Sequence, residues 1–179
     1  FKIQQLRRER GLKADSPSMH MIFTGNPGTG KTTVARIVSR YLKAIGVLEG
    51  GQLVEVTRGD LVGQYVGHTA PLTQKAIQSA LGGVLFIDEA YSLYRGKDDS
   101  FGLEAIDTLV KGMEDHRDDL VVILAGYSRE MEEFLTANSG LRSRFPNIIE
   151  FPDYTAGELV EITKSIVASK GYRLALSLI

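Results

Sequence analysis

With 179 residues, 43% hydrophobic and 24% charged, the chain is long enough for one domain around an ordinary core and has average globular composition. A formal net charge of -1 gives no overall pull toward nucleic acid or anionic membrane, and the absence of cysteine excludes disulfides, thiolate nucleophiles and Cys-ligated metals. No apolar run approaches the roughly 20 residues of a membrane helix, so neither a membrane nor a nucleic-acid partner is expected and the setting reads as cytoplasmic.

The start, Phe1-Lys2-Ile3-Gln4-Gln5, is polar and mixed, unlike a secretory leader, and reads as part of a longer protein. Residues 1–13 carry Ile3 and Leu6 on one helical face, and Asp15-Ser16-Pro17-Ser18 breaks that helix, making 1–17 a helix plus linker. Met19 to Thr24 is a short apolar run bounded by Gly25, the pattern of a buried parallel strand. Val34, Ala35, Ile37, Val38, Tyr41 and Leu42 then recur at helical spacing until Gly46 and Gly50-Gly51. Further strands are expected at 53–56, 84–87, 121–125 and 148–151, with helices near 70–80, 102–114 and 129–137. This alternation predicts an α/β domain over residues 1–154, with a five-stranded parallel sheet covered on both faces. In such sheets ligands sit at the carboxyl ends of strands, so the loops after the first, third and fourth strands should hold the chemistry. Beyond Pro152, Leu159, Ile162, Ile166 and Val167 mark an amphipathic helix over 155–170, the opening of a small helical domain left incomplete over 155–179.

Gly25-Asn26-Pro27-Gly28-Thr29-Gly30-Lys31-Thr32 matches the phosphate-loop pattern G-x-x-x-x-G-K-[ST], after an apolar strand and before a helix. Glycines let the backbone N–H groups form a nest around phosphate oxygens, and the helix presents its positive end to the same group. Lys31 adds a point charge on the terminal phosphates and the Thr32 hydroxyl a ligand for Mg²⁺. Thr33 follows in the first helical turn, so Gly25 to Thr33 is the expected ATP-binding segment.

Val84-Leu85-Phe86-Ile87 ends abruptly in Asp88-Glu89. Two carboxylates closing a buried strand are exposed at its carboxyl end, where Asp88 is suited to Mg²⁺ and Glu89 to orienting and deprotonating a water. An Asp-Glu pair favours hydrolysis over phosphoryl transfer to a metabolite. Because strand 53–56 intervenes, the acidic strand is expected to lie beside the phosphate-loop strand only through the sheet.

Three further features each allow two readings. Arg142 and Arg144 precede the fifth strand and suit either surface ion pairs or a finger reaching a neighbour's γ-phosphate. Tyr65-Val66-Gly67 lies in a glycine-flanked loop after the second strand, where the aromatic either grips a peptide or packs on the body. Ser128 follows the fourth strand and either meets the γ-phosphate or its water, or caps a helix starting at Arg129. The histidines His20, His68 and His116 have no metal-ligand spacing.

In order along the chain, GNPGTGKTTVAR, DLVGQYVGHTAP, GGVLFIDEAYSLY, DDLVVILAGY and GLRSRFP with EFPDYT resemble the CbxX/CfqX branch of AAA+ ATPases, over about residues 18 to 170. That branch includes red-type rubisco activases, ATPases accompanying type VII secretion, and a sporulation ATPase of spore-forming bacteria that the chain looks most like. The resemblance implies a hexameric ring with ATP at subunit interfaces, acting on a protein client. By matching motif positions, Lys31, Thr32, Asp88 and Glu89 take the Walker A and B roles, and Arg144 becomes the arginine finger with Arg142 as companion. Tyr65-Val66-Gly67 matches the pore loop. Two departures stand out: the sensor-1 position, often Asn, falls on Tyr127-Ser128, and the chain stops before the lid's sensor-2 arginine. The competing expectation is an AAA+ ATPase acting on nucleic acid or as a loader, opposed by the net charge of -1 and by the lack of a basic, aromatic stacking platform.

Overall fold

The computed structural model describes residues 18–152, 161 and 163–165. The expected helix over 1–13 and the apolar stripe Leu159, Ile162, Ile166 and Val167 lie outside the described residues. Five strands, β1 (Met21–Gly25), β2 (Leu53–Val56), β3 (Gly83–Ile87), β4 (Leu120–Gly126) and β5 (Asn147–Phe151), form one parallel sheet. Each falls within two residues of its predicted bounds. The helices are α1 (Lys31–Ala44), the short turn α2 (Arg58–Leu61), α3 (Thr69–Ala80), α4 (Ser100–Asp115), α5 (Ser128–Ala137) and the short α6 (Ser139–Arg142). Among the described residues, no helix is long and apolar enough to cross a membrane.

Every residue of β1, β3 and β4 is buried, as expected for strands covered on both faces. Their side chains alternate between two cores, following the period of two along a strand. Met21, Phe23, Val84, Phe86 and Ile123 pack against α1 through Val34, Val38 and Tyr41. Ile22, Leu85, Ile87, Val122 and Leu124 face Ile77 of α3, Leu109 of α4 and Phe134 of α5. Each such aliphatic or Phe side chain contributes roughly 1.5–3 kcal/mol by leaving water. Helix α1 stops where the glycine signal said: Gly46 takes φ 83, and its N–H donates to the Lys43 carbonyl while Val47 N–H donates to Leu42.

The strand order is β2-β3-β4-β1-β5. This corrects the expectation that the acidic strand lies beside the phosphate-loop strand, because β4 is inserted between them and pairs with both. The insertion brings three strand ends, rather than two, to one edge. Ile87 is level with Leu124, and Leu124 with Ile22, so Asp88 and Glu89 emerge near the height at which β1 reaches Thr24.

His20, just before β1, is 8% exposed, and its Nδ1 accepts the Val122 N–H at 2.9 Å. Burial pushes its pKa down from 6.5 to about 4. Between those values the unfolded chain binds a proton that the native state refuses, so stability is fully present above about pH 6.5 and falls as pH drops toward 4. The loss should total roughly 3 kcal/mol, at about 1.4 kcal/mol per pH unit. Urea unfolding at a series of pH values should show this slope. His20→Asn, which keeps an acceptor but does not titrate, should flatten it; an unchanged slope in the variant would remove His20 as the cause.

A candidate nucleotide site at the ends of three strands

The site begins where β1 runs into α1. Gly25 has φ 150, and a Cβ there would come 2.4 Å from the Phe151 carbonyl oxygen on β5, so neighbouring-strand packing already requires glycine. Gly28 and Gly30 take φ 75 and 93, the left-handed region that curls the backbone into a nest. A Cβ on Gly28 would meet nothing within 4 Å, so the loop's outer side is open. Gly30 is the N-cap of α1 and has no side chain to satisfy the first-turn amides, which leaves them to an incoming anion. Lys31 Nζ donates to the carbonyls of Gly25 and Asn26, each at 2.8 Å, and Thr29 Oγ1 donates to Asn26 as well. These bonds draw the loop in on itself. Burial lowers the Lys31 pKa, while the nearby Asp88 carboxylate acts to raise it.

At the end of β3, the Asp88 N–H donates to Val56 of β2 at 2.9 Å, and the Asp88 carboxylate accepts the Glu89 N–H at 3.0 Å. Glu89 has φ 50 and ψ 46, and among the described residues no other non-glycine has positive φ. For an L-residue this conformation costs roughly 1–2 kcal/mol. A 3-10 turn (Ala90–Leu93) holds it in place, with Ser92 donating its N–H and its hydroxyl to the Glu89 carbonyl at 2.9 and 2.7 Å.

The third strand end, β4, supplies Gly126 and Tyr127. A Cβ on Gly126 would lie 2.9 Å from the Tyr91 ring, and the Tyr91 and Tyr127 rings are 5.9 Å apart. Tyr127 is extended, with φ -65 and ψ 143, and is the N-cap of α5. Helix α5 therefore starts at Ser128, which corrects the capping alternative: Ser128 is its first residue and not its cap.

Together these ends enclose a cleft of about 410 Å³. From the loop it is lined by Gly25 and residues 27–33, from β3 by Phe86, Asp88 and Glu89, and from β4 by Gly126 and Tyr127. Asn26 turns its carbonyl to Lys31 and is not on the lining, and neither is Ser128.

The remaining expected site residues lie elsewhere. Arg144 Nη1 donates to the Gly140 carbonyl at 2.7 Å, and Nη2 pairs with the Glu114 carboxylate on α4. Arg142 Nη1 donates to the Phe145 carbonyl. Neither arginine lines the cleft of its own chain. Tyr65 and Val66 are 66% and 88% exposed, and Gly67 has φ 86. Their loop is pinched at its base, where Gly63 N–H donates to Thr69 Oγ1 at 3.0 Å and Thr73 Oγ1 donates to the Leu61 carbonyl at 2.9 Å. At that exposure Tyr65 is not packed into the core; its ring lies 5.5 Å from that of His68 in a T-shaped arrangement.

Residues 21–153 match the family described as ATPase family associated with various cellular activities (AAA). Stage V sporulation protein K of Bacillus subtilis is 54% identical over 97% of this chain and 54% of its own length. Protein CfxQ of Xanthobacter flavus is 54% identical over 95% of the chain and 54% of its own. A chloroplastic ribulose bisphosphate carboxylase/oxygenase activase of Cyanidioschyzon merolae is 51% identical over 96% and 59%. The chain thus spans little more than half the length of these relatives. Among solved structures, the FIGL-1 AAA domain in complex with ADP superposes with a TM-score of 0.58 at 21% identity, covering 91% of this chain and 53% of that one, a likeness of fold. On the family match and these relatives, the chain belongs to the AAA ATPases and stands within their CbxX/CfqX branch.

Proposed function

We propose that the chain binds Mg-ATP in this cleft, hydrolyses it to ADP and phosphate, and works as one subunit of a homo-hexameric ring that remodels a protein client. The observation that carries the reading is the convergence, at three strand ends, of a glycine nest with one ammonium and two carboxylates. The donor set fits the group: N–H donors and Lys31 for phosphate oxygens, and hard oxygen ligands from Thr32 and Asp88 for magnesium. Bound there, Mg²⁺ would neutralise charge on the phosphate oxygens. On binding, the Lys31 ammonium exchanges the Gly25 and Asn26 carbonyls for phosphate oxygens. Glu89 accepts a proton from the water whose oxygen attacks the γ-phosphorus, and the bond to the ADP oxygen breaks. Tyr127 reaches the cleft where Ser128 does not, so the sensor role at the end of β4 is assigned to Tyr127. Arg144, with Arg142 beside it, serves the neighbouring subunit's cleft. Residues 155–179 are assigned to the opening of the lid domain.

A protein client is supported by the exposed Tyr65-Val66 pair and by a relative whose name describes action on ribulose bisphosphate carboxylase/oxygenase. The stage V sporulation relative makes sporulation a first setting in which to seek the client. Tyr65→Ala separates gripping from folding. As a surface change it should alter stability by no more than about 0.5 kcal/mol, against the roughly 3–5 kcal/mol of a large-to-small core change. Basal ATP hydrolysis should also stay near the parent rate. Client remodelling, or client-stimulated hydrolysis, should be abolished, with the client captured on the ATP-held Glu89→Gln protein. Unimpaired remodelling by Tyr65→Ala would end the threading assignment.

A further inference from the structure

The segment from β2 into α2 grips the acidic turn at two points and then runs directly into the exposed loop. Val56 accepts the Asp88 N–H at 2.9 Å. Two residues later, Arg58 Nη1 donates to the Ser92 carbonyl at 2.7 Å, and Ser92 in turn holds the Glu89 carbonyl through its N–H and hydroxyl. The same guanidinium forks onto Asp99, Nη1 to Oδ2 at 2.7 Å and Nη2 to Oδ1 at 3.1 Å, with side-chain exposures of 18% and 13%. Asp99 is itself fixed, accepting the Gly102 N–H at the start of α4 and the Arg95 N–H. Arg58 therefore joins, in one largely buried node, the strained Glu89 turn, the start of α4 and the start of α2. The residues after α2 form the loop of Tyr65 and Val66, whose base is tied to α3 by the Gly63–Thr69 and Leu61–Thr73 hydrogen bonds.

We infer that Arg58, fixed by Asp99, is a positioning residue that couples the state of the acidic turn at the nucleotide cleft to the position of the Tyr65-Val66 loop. Resting on the nucleotide reading above, it goes beyond it by naming the link. Coupling between two sites can be carried by a chain of packed or hydrogen-bonded groups, and here each joint is a direct hydrogen-bonded contact. The planar fork matters: a lysine presents one nitrogen where the guanidinium presents two, so it cannot reproduce the fork that holds Ser92 and both Asp99 oxygens together. Arg58→Lys and Asp99→Asn should thus loosen the node while Asn retains the cap on α4.

The test is hydrogen exchange on the full-length Glu89→Gln protein, with and without Mg-ATP. ATP should slow exchange at residues 25–33, which reports binding, and change it at 90–95 and 62–68. With Arg58→Lys or Asp99→Asn added, protection at 25–33 should remain and the ATP-dependent change at 62–68 should be lost. A merely structural role would raise exchange at 62–68 equally in both states and leave the ATP difference intact, which would overturn the coupling. So would a Glu89→Gln protein whose loop does not respond to ATP, a result that needs neither the Arg58 nor the Asp99 substitution. Absence of protection at 25–33 in the parent would overturn the nucleotide reading itself and the coupling with it.

Discussion

Replacing Glu89 by Gln should leave ATP affinity near that of the parent and cut turnover by about 10²-fold or more. Gln has the shape of Glu and the same capacity to fill the space, but it cannot take a proton from water. The backbone cost of φ 50 is common to both residues, and the Ser92 bonds that hold the turn go to the Glu89 carbonyl, which the substitution leaves in place. The melting temperature should therefore stay put. Lys31→Ala is the contrast. It removes the ammonium that faces the phosphate loop, so nucleotide binding itself should weaken. Calorimetric titration with ATP and phosphate-release rates on the two variants separate these outcomes. Parent-rate hydrolysis by Glu89→Gln would withdraw its assignment as the base, and parent affinity in Lys31→Ala would withdraw the phosphate assignment of Lys31.

The parts of the site that could be read in the sequence are those whose chemistry needs consecutive residues. The nest at Gly25 to Thr32 and the pair Asp88-Glu89 are each confined to one strand end, and the strands are marked by their apolar runs. What escaped the sequence is tertiary. Strand order is not encoded in chain order, so nothing in the run from 53 to 126 announces that β4 separates β3 from β1. Arg58 and Asp99 are 41 residues apart, and His20 reaches Val122 across 102, distances over which no local pattern links partners. Glu114 carries no signal beyond a charge near the end of a helix, yet it holds the guanidinium of Arg144. The left-handed backbone at Glu89 was also hidden, because the residue that suits such a turn is ordinarily glycine or asparagine. A glutamate kept there at a cost in conformational energy is itself a pointer to function. The exposure of Tyr65, left open by the residues alone, depends on how its loop stands on the folded body and is seen only in the structure.

Arg144→Ala subunits in the full-length protein should bind ATP as the parent does and hydrolyse it slower by about 10³–10⁵-fold, the range for loss of an arginine finger. In the isolated subunit Arg144 is paired with Glu114, and the two side chains are 33% and 58% exposed. Such a part-exposed pair contributes only about 0–1 kcal/mol. It is therefore easily given up for the concentrated negative charge of a γ-phosphate presented by a neighbour. The same figure limits what the substitution can do to folding, so a small change in melting temperature together with a large loss of rate would mark a role outside the subunit's own core. Mixing supplies the decisive measurement. An Arg144→Ala subunit keeps an intact cleft and lacks a finger; a Lys31→Ala subunit lacks a working cleft and keeps its finger. An interface that joins the cleft of the first to the finger of the second is complete, so phosphate release should rise and then fall as the mixing ratio is varied, although each variant alone is inactive. If release at every ratio is the weighted sum of the two pure variants, Arg144 does not act across the interface, and its bonds to Glu114 and Gly140 are simply how the segment before β5 is held.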